Sequence, residues 1–227
     1  MSYHQPFQVT GFHSCDREVG LGVLNGDLEL IPSDNAWDWL GGGVYFWEQN
    51  PVRALQYAIE CANGHQKNKK RIRTPFLIGS SIELGNCLNL LQPRAMDIVV
   101  QAHTALKEIC TRSGDPIPSN VGPKRNLDCA VIRYAHELAT RDGIKYDTVR
   151  CAFVEGKPAY QGSNFTMRGH IEICVINPAM IKGYFLPRPV EHFNPFLRKV
   201  FFPGPENTSA STMPPFAIEE PRSHIYN

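Results

Sequence analysis

The chain has 227 residues, of which 42% are hydrophobic and 20% are charged, and its formal net charge is +1. This length and composition suit one domain of moderate size, alone or with a tail, and allow a sizeable buried core. The near-neutral charge argues against a protein that holds nucleic acid by bulk positive charge alone. No apolar run approaches the roughly 18 residues that a membrane-spanning helix needs, so no membrane partner is expected.

The seven cysteines are an odd number, and no two of them have the CxxC spacing typical of a zinc site. The start of the chain does not show the charged region and apolar region of a secretory signal. We therefore expect a cytoplasmic protein with reduced, mostly buried thiols and no bound metal. Cys15 and Cys129 are accordingly interpreted as packing residues rather than nucleophiles.

In chain order, residues 7–12 form the first predicted strand, and His13 lies at its end. Asp16 is a plausible N-cap for a short helix over 17–24, which Gly26 closes. The remaining elements are predicted from apolar spacing and from β-prone runs. They are helices over 51–61, 93–111 and 127–140, an aromatic strand after residue 43, and strands over 28–31, 76–82, 146–154, 170–176 and 181–186.

This order of strands and helices predicts an α+β fold, because it lacks the regular alternation of a parallel βαβ protein. Proline recurs from residue 187 onward, so we expect a main domain over 1–187 and a proline-rich extension over 188–227. Phenylalanines in the extension predict that 193–202 packs back onto the domain. A mobile tail is expected from about residue 204.

Some expectations concern packing alone. Phe46 is expected in the core, and Asp128 is expected to cap the helix over 127–140. The three tryptophans are expected in the core, with one of them partly exposed. The helix over 93–111 is expected to bury one face, formed by Met96, Val99, Val100, His103, Leu106 and Ile109.

The residues that could carry chemistry lie at the ends or in the middle of predicted strands. His13 follows the first strand, Tyr45 follows three glycines, and Glu172 lies within the strand over 170–176. The surrounding segments are, in order, Phe12-His13-Ser14, Gly43-Val44-Tyr45-Phe46 and Gly169-His170-Ile171-Glu172-Ile173. In this order the sequence resembles the ADP-ribosyltransferases of the diphtheria-toxin and poly(ADP-ribose)-polymerase class, through most of residues 7–186.

Within this class the chain is similar to a bacterial group that is marked by six motifs, all of which occur here in the same order. The combination is far more specific than any single motif, and His13 or Tyr45 alone would carry almost no weight. The motifs are His-x-Cys-Asp, Asn-x-x-Asp-Trp-Leu-Gly-x-Gly-x-Tyr-Phe-Trp-Glu, Leu-Asp-Cys, Tyr-Asp-Thr-Val-Arg, Phe-x-Glu-Gly and His-Ile-[Gln/Glu]-Ile.

The resemblance implies an ADP-ribosyltransferase-like split β-sandwich with flanking helices, and NAD+ as a substrate in the cleft between the two sheets. The implied reaction transfers ADP-ribose to a protein or nucleic-acid acceptor and releases nicotinamide. By analogy the chain could be a toxin or anti-phage effector with a neutralising, antitoxin-type partner. The alternatives are a non-catalytic NAD+ or ADP-ribose reader, an NAD+ glycohydrolase, and an interaction domain that works through its extension.

The resemblance assigns the catalytic carboxylate to Glu172, because such a group can stabilise an oxocarbenium-like transition state and hold a ribose hydroxyl. A lone acid in an apolar strand is unusual without a partner or a function. Aligning Lys182-Gly183-Tyr184 with the polymerases instead places His170 at their glutamate. The competing acids are Glu155, which we also include among the catalytic candidates, Glu48, and Asp38, which we assign to the cofactor cleft.

The cofactor-binding residues also follow from the resemblance. His13 would hydrogen-bond the adenosine-side ribose, and Tyr45 would offer a flat face to the nicotinamide ring. Gly43 would let the backbone approach the cofactor closely. Backbone groups of Phe12 or Ser14 would hold the nicotinamide amide.

Structural roles compete with these assignments. Glu172 could instead form an ion pair with Arg168 or Arg150. The densest basic run is either a solvated loop or a contact for phosphates of NAD+ or of a nucleic-acid acceptor. Its residues are Lys67, Lys69, Lys70, Arg71 and Arg73.

Overall fold

The structure is a computed structural model that describes residues 8–64 and 72–197. Its strands are β1 (Gln8–Asp16), β2 (Val44–Glu48), β3 (Pro75–Glu83), β4 (Cys87–Asn89), β5 (Asn120–Val121), β6 (Lys124–Arg125), β7 (Thr148–Phe153), β8 (His170–Val175) and β9 (Ile181–Phe185). Its helices are α1 (Arg17–Asn25), α2 (Pro51–Ala62), α3 (Pro93–Ser113), α4 (Asn126–Arg141) and α5 (Val190–Phe193), with a 3-10 turn over Pro178–Met180. None of the helices in these ranges is long and apolar enough to cross a membrane.

Seven of the strands form one sheet, in the order β4-β7-β8-β2-β1-β3-β9, and β5 and β6 form a separate two-stranded ribbon. Neighbouring strands of the sheet are antiparallel, except for β4 and β7, which run parallel. A large, mostly antiparallel sheet with several helices confirms the predicted α+β class.

The pairing between neighbouring strands of the sheet is shortest between β1 and β2. These two strands pair only through Gly11 with Glu48 and Phe12 with Trp47. By contrast, β1 pairs with β3 along its whole length, which extends β1 four residues beyond the predicted end at residue 12. The sheet therefore consists of two halves, β4-β7-β8-β2 and β1-β3-β9, that meet over a short stretch.

Alternation along the strands sends side chains to two packed faces. On one face Phe46 is fully buried in a cluster that includes Val23 of α1, which confirms its predicted core position. On the other face Val149 and Cys174 pack with Ile132 of α4. Helices thus pack against both faces of the sheet.

The residues that cap the two ends of α1 are the ones that the sequence predicts. Asp16 has an extended conformation, and its side chain accepts a hydrogen bond from the backbone N–H of Glu18 at 3.2 Å. Gly26 ends the helix in the left-handed conformation, with φ at 81°. Both predicted caps are confirmed.

The predicted buried face of α3 is correct only in part, since Val99 and Leu106 are partly buried against α4. Met96 and Val100 are 45% and 60% exposed, and Ile109 is exposed as well. The centre of the contact with α4 is Ala102, which is fully buried and was not part of the predicted face. A small residue at the centre lets the two helices approach closely, and this turns the larger apolar side chains away from the contact.

Two further local predictions are corrected. Residues 28–31 form no strand and belong to the loop that follows α1. Asp128 does not cap α4, because the side-chain oxygen of Asn120 accepts from the backbone N–H groups of Leu127 at 3.0 Å and of Asp128 at 3.3 Å. Asn120 of β5 therefore caps the helix, and Asp128 contributes only an acidic group to the first turn.

The tryptophans and cysteines are distributed unevenly between core and surface. Trp47 is buried, Trp39 is half-buried and packs against a core cluster, and Trp37 is exposed, so two of the three contact the core. All seven cysteines, which fall within the described ranges, are free. Cys15 and Cys129 are buried, as expected of packing residues, and burial with a nearby carboxylate raises the pKa of Cys15 to about 12.

The described part of the proline-rich extension is tied to β3. Asn194 is fully buried, its Oδ1 accepts from the backbone N–H of Leu77 at 2.8 Å, and its Nδ2 donates to the carbonyl of Leu77 at 2.9 Å. Leu197 is buried in the same core as α1. The predicted mobile tail lies outside the described residues, as do the basic residues at 67–71.

Candidate functional site

Two of the motif residues share one face of neighbouring strands. Glu172 of β8 stands opposite Trp47 of β2, and Tyr45 lies two residues before Trp47 on the same strand. Because side chains alternate along a strand, all three point to the same side of the sheet. The structure thus brings Tyr45 and Glu172, which are far apart in sequence, onto one surface.

His13 is placed differently. Its Nδ1 donates a hydrogen bond to the carbonyl oxygen of Tyr45 at 2.8 Å, so it connects β1 and β2 just beyond their last residue pair. Its ring centroid lies 5.7 Å from that of Phe46, on the face opposite Glu172. His13 is therefore adjacent to the backbone of Tyr45 but separate from the carboxylate of Glu172.

Glu172 is paired with His170 on its own strand. Its Oε1 lies 3.1 Å from Nε2 of His170, while Nδ1 of His170 lies 2.8 Å from the carbonyl oxygen of Arg168. Burial lowers the pKa of His170, but the hydrogen bonds with Glu172 and Arg168 outweigh burial and raise the pKa above its usual value. The structural alternative, an ion pair of Glu172 with Arg168 or Arg150, is not formed between these residues, since the partner of Glu172 is His170.

Glu155 joins the same cluster from the loop after β7. Its Oε2 lies 3.9 Å from Nδ1 of His170 and 3.3 Å from Nη2 of Arg53. The side chain of His170 is 1% exposed, whereas those of Glu172 and Glu155 are 16% and 30% exposed. A buried histidine with a carboxylate on either side therefore joins the two catalytic candidates.

Arg53 is the member of this cluster that the sequence interpretation missed. It is buried at the start of α2, and Glu60, two turns later, bridges it to Arg168 with separations of 3.6 Å and 3.0 Å. Arg53, Tyr57 and Glu60 recur at helical spacing, which is the signal that could have revealed a functional face on α2.

Glu48 belongs to the other face of the sheet. Its two carboxylate oxygens accept from Nε and Nη2 of Arg150 at 2.5 Å and 2.7 Å, in a bidentate pair. This hydrogen bonding raises the pKa of the Arg150 guanidinium. Alternation from Trp47 directs Glu48 away from Glu172. The structure therefore does not bring Glu48 into the cluster.

Tyr45 and Asp38 both organise the loop before β2. The hydroxyl of Tyr45 donates to the carbonyl of Gly41 at 2.7 Å and accepts from the N–H of Leu40 at 2.9 Å, and burial raises the pKa of its phenol. Asp38 accepts from the backbone and side-chain N–H groups of Asn35 at 2.8 Å and 3.2 Å. The polar atoms of both side chains thus already hold the loop in place.

The remaining predicted cofactor residues have packing contacts. A Cβ added at Gly43 would lie 2.5 Å from the sulfur of Cys174 and 2.6 Å from the carbonyl oxygen of Val175, so β2 passes β8 too closely for a side chain. Ser14 donates its hydroxyl to the carbonyl of Ala54 at 2.6 Å. The ring of Phe12 is buried opposite Trp47.

Two cavities border the described site residues. One of about 300 Å³ adjoins Glu155 and is lined by Trp39, Arg125, Asp128 and Phe153 among others. A larger one of about 490 Å³ lies at Gly41 and Gly42, against α4, and does not include Glu172 or Glu155. Both volumes are within the range of small-molecule sites. The smaller cavity is lined by Glu155, and Glu172 lines neither cavity.

Comparison with known proteins gives one relative and no assigned family. No family model matches the chain, and no solved structure matches it. An uncharacterised protein of Methanocaldococcus jannaschii is 24% identical over 216 residues, which cover 85% of this chain and 94% of the relative. No activity is ascribed to that relative, so a function has to be inferred from the site. In the described part of the chain, no three His, Cys, Asp or Glu side chains are grouped as metal ligands.

Proposed function

We propose that the chain is a mono-ADP-ribosyltransferase that cleaves NAD+ and uses Glu172 as its carboxylate. The observation that carries the proposal is the arrangement of Glu172 and Tyr45 on one face of adjacent strands, with Glu155 joined to Glu172 through His170. These residues come from three motifs that are distant in sequence. Their convergence supports the order of motifs on which the resemblance rests.

The chemistry fits a carboxylate held in this way. Breaking the bond between nicotinamide and ribose leaves positive charge on the ribose, and a fixed carboxylate nearby stabilises that charge. Glu172 is mostly buried, and its hydrogen bond to His170 fixes one oxygen. A fixed, partly desolvated carboxylate needs little reorganisation when the charge develops.

The finer fold assignment, an ADP-ribosyltransferase-like split β-sandwich, is part of the proposal. It is supported by the short junction between β1 and β2, where only two residue pairs join the halves of the sheet. NAD+ would lie where these strands separate, between the backbone near Ser14 and the face of Tyr45. The acceptor would be a protein or a nucleic acid, and a neutralising partner would accompany a toxin or effector role.

One observation favours a second candidate, a non-catalytic NAD+ or ADP-ribose reader. All three competing glutamates already have partners: Glu172 pairs with His170, Glu155 with Arg53 and Glu48 with Arg150. Carboxylates in structural pairs can hold a fold together without taking part in a reaction.

Release of nicotinamide from NAD+ by the full chain separates these candidates. We expect Glu172→Gln to reduce turnover by about 100-fold or more, and Glu155→Gln and Tyr45→Ala to reduce it less. Glu83→Gln is the matched control, because Glu83 pairs with Lys182 at 2.8 Å on β3 and is half-exposed. Assays with and without cell lysate or RNA distinguish transfer from hydrolysis.

The outcomes are distinct. Equal turnover in wild type and a folded Glu172→Gln protein would contradict the role of Glu172. Binding of NAD+ without turnover in any condition would favour the non-catalytic NAD+ or ADP-ribose reader. No binding of NAD+ at all would contradict both the transferase and the reader.

A further inference from the structure

The walls of the cavity of about 300 Å³ combine aromatic rings, a cation and two carboxylates. Trp39 and Phe153 supply the rings, whose centroids lie 4.6 Å apart in an edge-to-face contact. The guanidinium of Arg125 lies 5.1 Å from the ring centroid of Trp39. Asp128 of α4 and Glu155 supply the carboxylates. Flat apolar surface with donors and acceptors beside it suits a heteroaromatic ligand.

Two of these charged groups are not used by the fold. Among the described residues, neither Arg125 nor Asp128 forms an ion pair. Arg125 is half-buried, and Asp128 is exposed in the first turn of α4, where Asn120 rather than Asp128 caps the helix. Arg125 therefore offers N–H donors, and Asp128 offers acceptor oxygens, to a molecule that enters the cavity.

The charge around the cavity is balanced once the groups that pair with its walls are included. Oε2 of Glu155 lies 3.3 Å from Nη2 of Arg53 and 3.9 Å from Nδ1 of His170, whose ring nitrogens both face oxygen acceptors. The connected groups are the cations Arg53, Arg125, Arg168 and protonated His170, and the anions Glu60, Asp128, Glu155 and Glu172. A neutral ligand fits this balance better than a phosphate or a second guanidinium, because each of these adds an uncompensated charge.

A second aromatic ring with a cation lies beside the first. Trp37 is 39% exposed, and Nζ of Lys124 lies 5.1 Å from its ring centroid. Lys124 and Arg125 are consecutive on β6, and Trp37 and Trp39 are two residues apart in the loop before β2. Neighbouring aromatic rings with cations beside them form the kind of surface on which a single-stranded nucleic acid stacks its bases and places its phosphates.

We propose that the cavity binds a guanine base of a single-stranded nucleic acid, with the adjoining nucleotide on Trp37 and Lys124. O6 and N7 of guanine accept from the guanidinium of Arg125, and N1–H and the N2 amine donate to Asp128 and Glu155. Adenine has an amine where guanine has O6, so it places a donor against Arg125. The inference rests on the proposed function in one respect, since this strand would be the acceptor of ADP-ribose.

Fluorescence anisotropy with the full chain and labelled single-stranded RNA tests the cavity in the absence of NAD+. The probe is oligouridine of about eight nucleotides with a central guanine, and the matched probes have adenine, cytosine or uracil there. We expect wild type to bind the guanine probe at least about fivefold more tightly than the others. Arg125→Gln and Asp128→Asn should each remove most of this preference.

The matched controls are Arg141→Gln and Asp142→Asn, which should bind as wild type does. Both residues lie at the other end of α4, and the guanidinium of Arg141 also lies over an aromatic ring, that of Tyr134. These variants therefore repeat the two charge changes away from the cavity.

A further comparison separates a strand from a free nucleotide. Trp37→Ala removes the second ring, so it should weaken binding of every RNA probe by about fivefold or more. Guanosine monophosphate should compete with the guanine probe, and its affinity should be the same in Trp37→Ala and wild type. Equal affinity for guanosine monophosphate and the guanine probe, with no effect of Trp37→Ala, would contradict the strand and assign the cavity to a free nucleotide.

Thermal melting shows which variants are folded, and the exposed position of Asp128 keeps the test valid if Arg125→Gln unfolds. The proposal is overturned if wild type binds none of the probes, if it does not prefer guanine, or if folded Asp128→Asn keeps the full preference. NAD+ cleavage together with any of these results would leave the proposed function standing. A preference for guanine without any binding of NAD+ would support the guanine site and contradict the proposed function.

Discussion

Both ring nitrogens of His170 face oxygen acceptors, and one of these is the carboxylate of Glu172. Nε2 lies 3.1 Å from Oε1 of Glu172, and Nδ1 lies 2.8 Å from the carbonyl oxygen of Arg168. A carbonyl can only accept, so Nδ1 carries a proton. If Glu172 is ionised, Nε2 must donate as well, which makes the ring an imidazolium. This geometry explains why the pKa of His170 is raised although burial alone would lower it.

The first prediction concerns stability against pH. The folded-state pKa of His170 lies above its unfolded value of about 6.5, so the stabilisation is fully present below that value and is lost as pH rises through the folded pKa. Glu172→Gln removes the carboxylate that raises this pKa. We therefore expect wild type to melt at a higher temperature than Glu172→Gln at about pH 5.5 to 6, with the gap shrinking as the pH rises above about 6.5.

Melting temperatures measured across that pH range check this expectation. Glu83→Gln serves as the control, because the partner of Glu83 is a lysine rather than a histidine. A gap between wild type and Glu172→Gln that stayed constant with pH would show that His170 and Glu172 do not share a proton in the folded protein.

The second prediction separates Glu48 from the catalytic candidates. Glu48→Gln leaves the guanidinium of Arg150 without its bidentate partner, and these side chains are 9% and 17% exposed. We expect the free energy of unfolding, measured in urea near pH 7, to fall by about 2 kcal/mol. Glu83→Gln, in a half-exposed pair, should change it by less than about 1 kcal/mol. Full stability with abolished nicotinamide release would instead identify Glu48 as the carboxylate.

The third prediction concerns the link between the extension and β3. The side-chain amide of Asn194 bonds both backbone groups of Leu77, beyond the point where β9 stops pairing with β3. Asn194→Ala leaves a buried N–H and a buried carbonyl without partners, so we expect a loss of about 3 kcal/mol in unfolding free energy. Asn25→Ala, at the exposed end of α1, is the control. Equal stability of the two variants would mean that 188–197 does not hold the fold.

The fourth prediction concerns Gly43. Alanine there would place its Cβ 2.6 Å from the carbonyl oxygen of Val175, a backbone atom that can move only if β8 moves. We expect Gly43→Ala to destabilise the protein by about 1–3 kcal/mol. Gly183→Ala on β9 is the matched control, because nothing lies within 4 Å of a Cβ at that position. Chemical denaturation of both variants checks the difference, and a fully stable Gly43→Ala protein would leave close approach to a ligand as the reason for glycine.

The elements that depend on short-range signals could be predicted from the sequence. Strand β3 and helix α2 follow from runs of apolar residues and from Pro51, and α1 follows from its caps at Asp16 and Gly26. Phe46 could be placed in the core from alternation alone. These features depend on residues a few positions apart, and their physical causes act locally.

Which charged groups form ion pairs depends on the tertiary fold. Glu48 faces Arg150 and Glu155 faces Arg53, each across 102 positions of sequence, because the sheet order brings their strands and helices together. The exposed part of the predicted α3 face is set by the neighbouring helix α4, and the cap of α4 is set by Asn120 of the β5–β6 ribbon. The pairing of long-range partners depends on strand order and register, which local propensities do not encode.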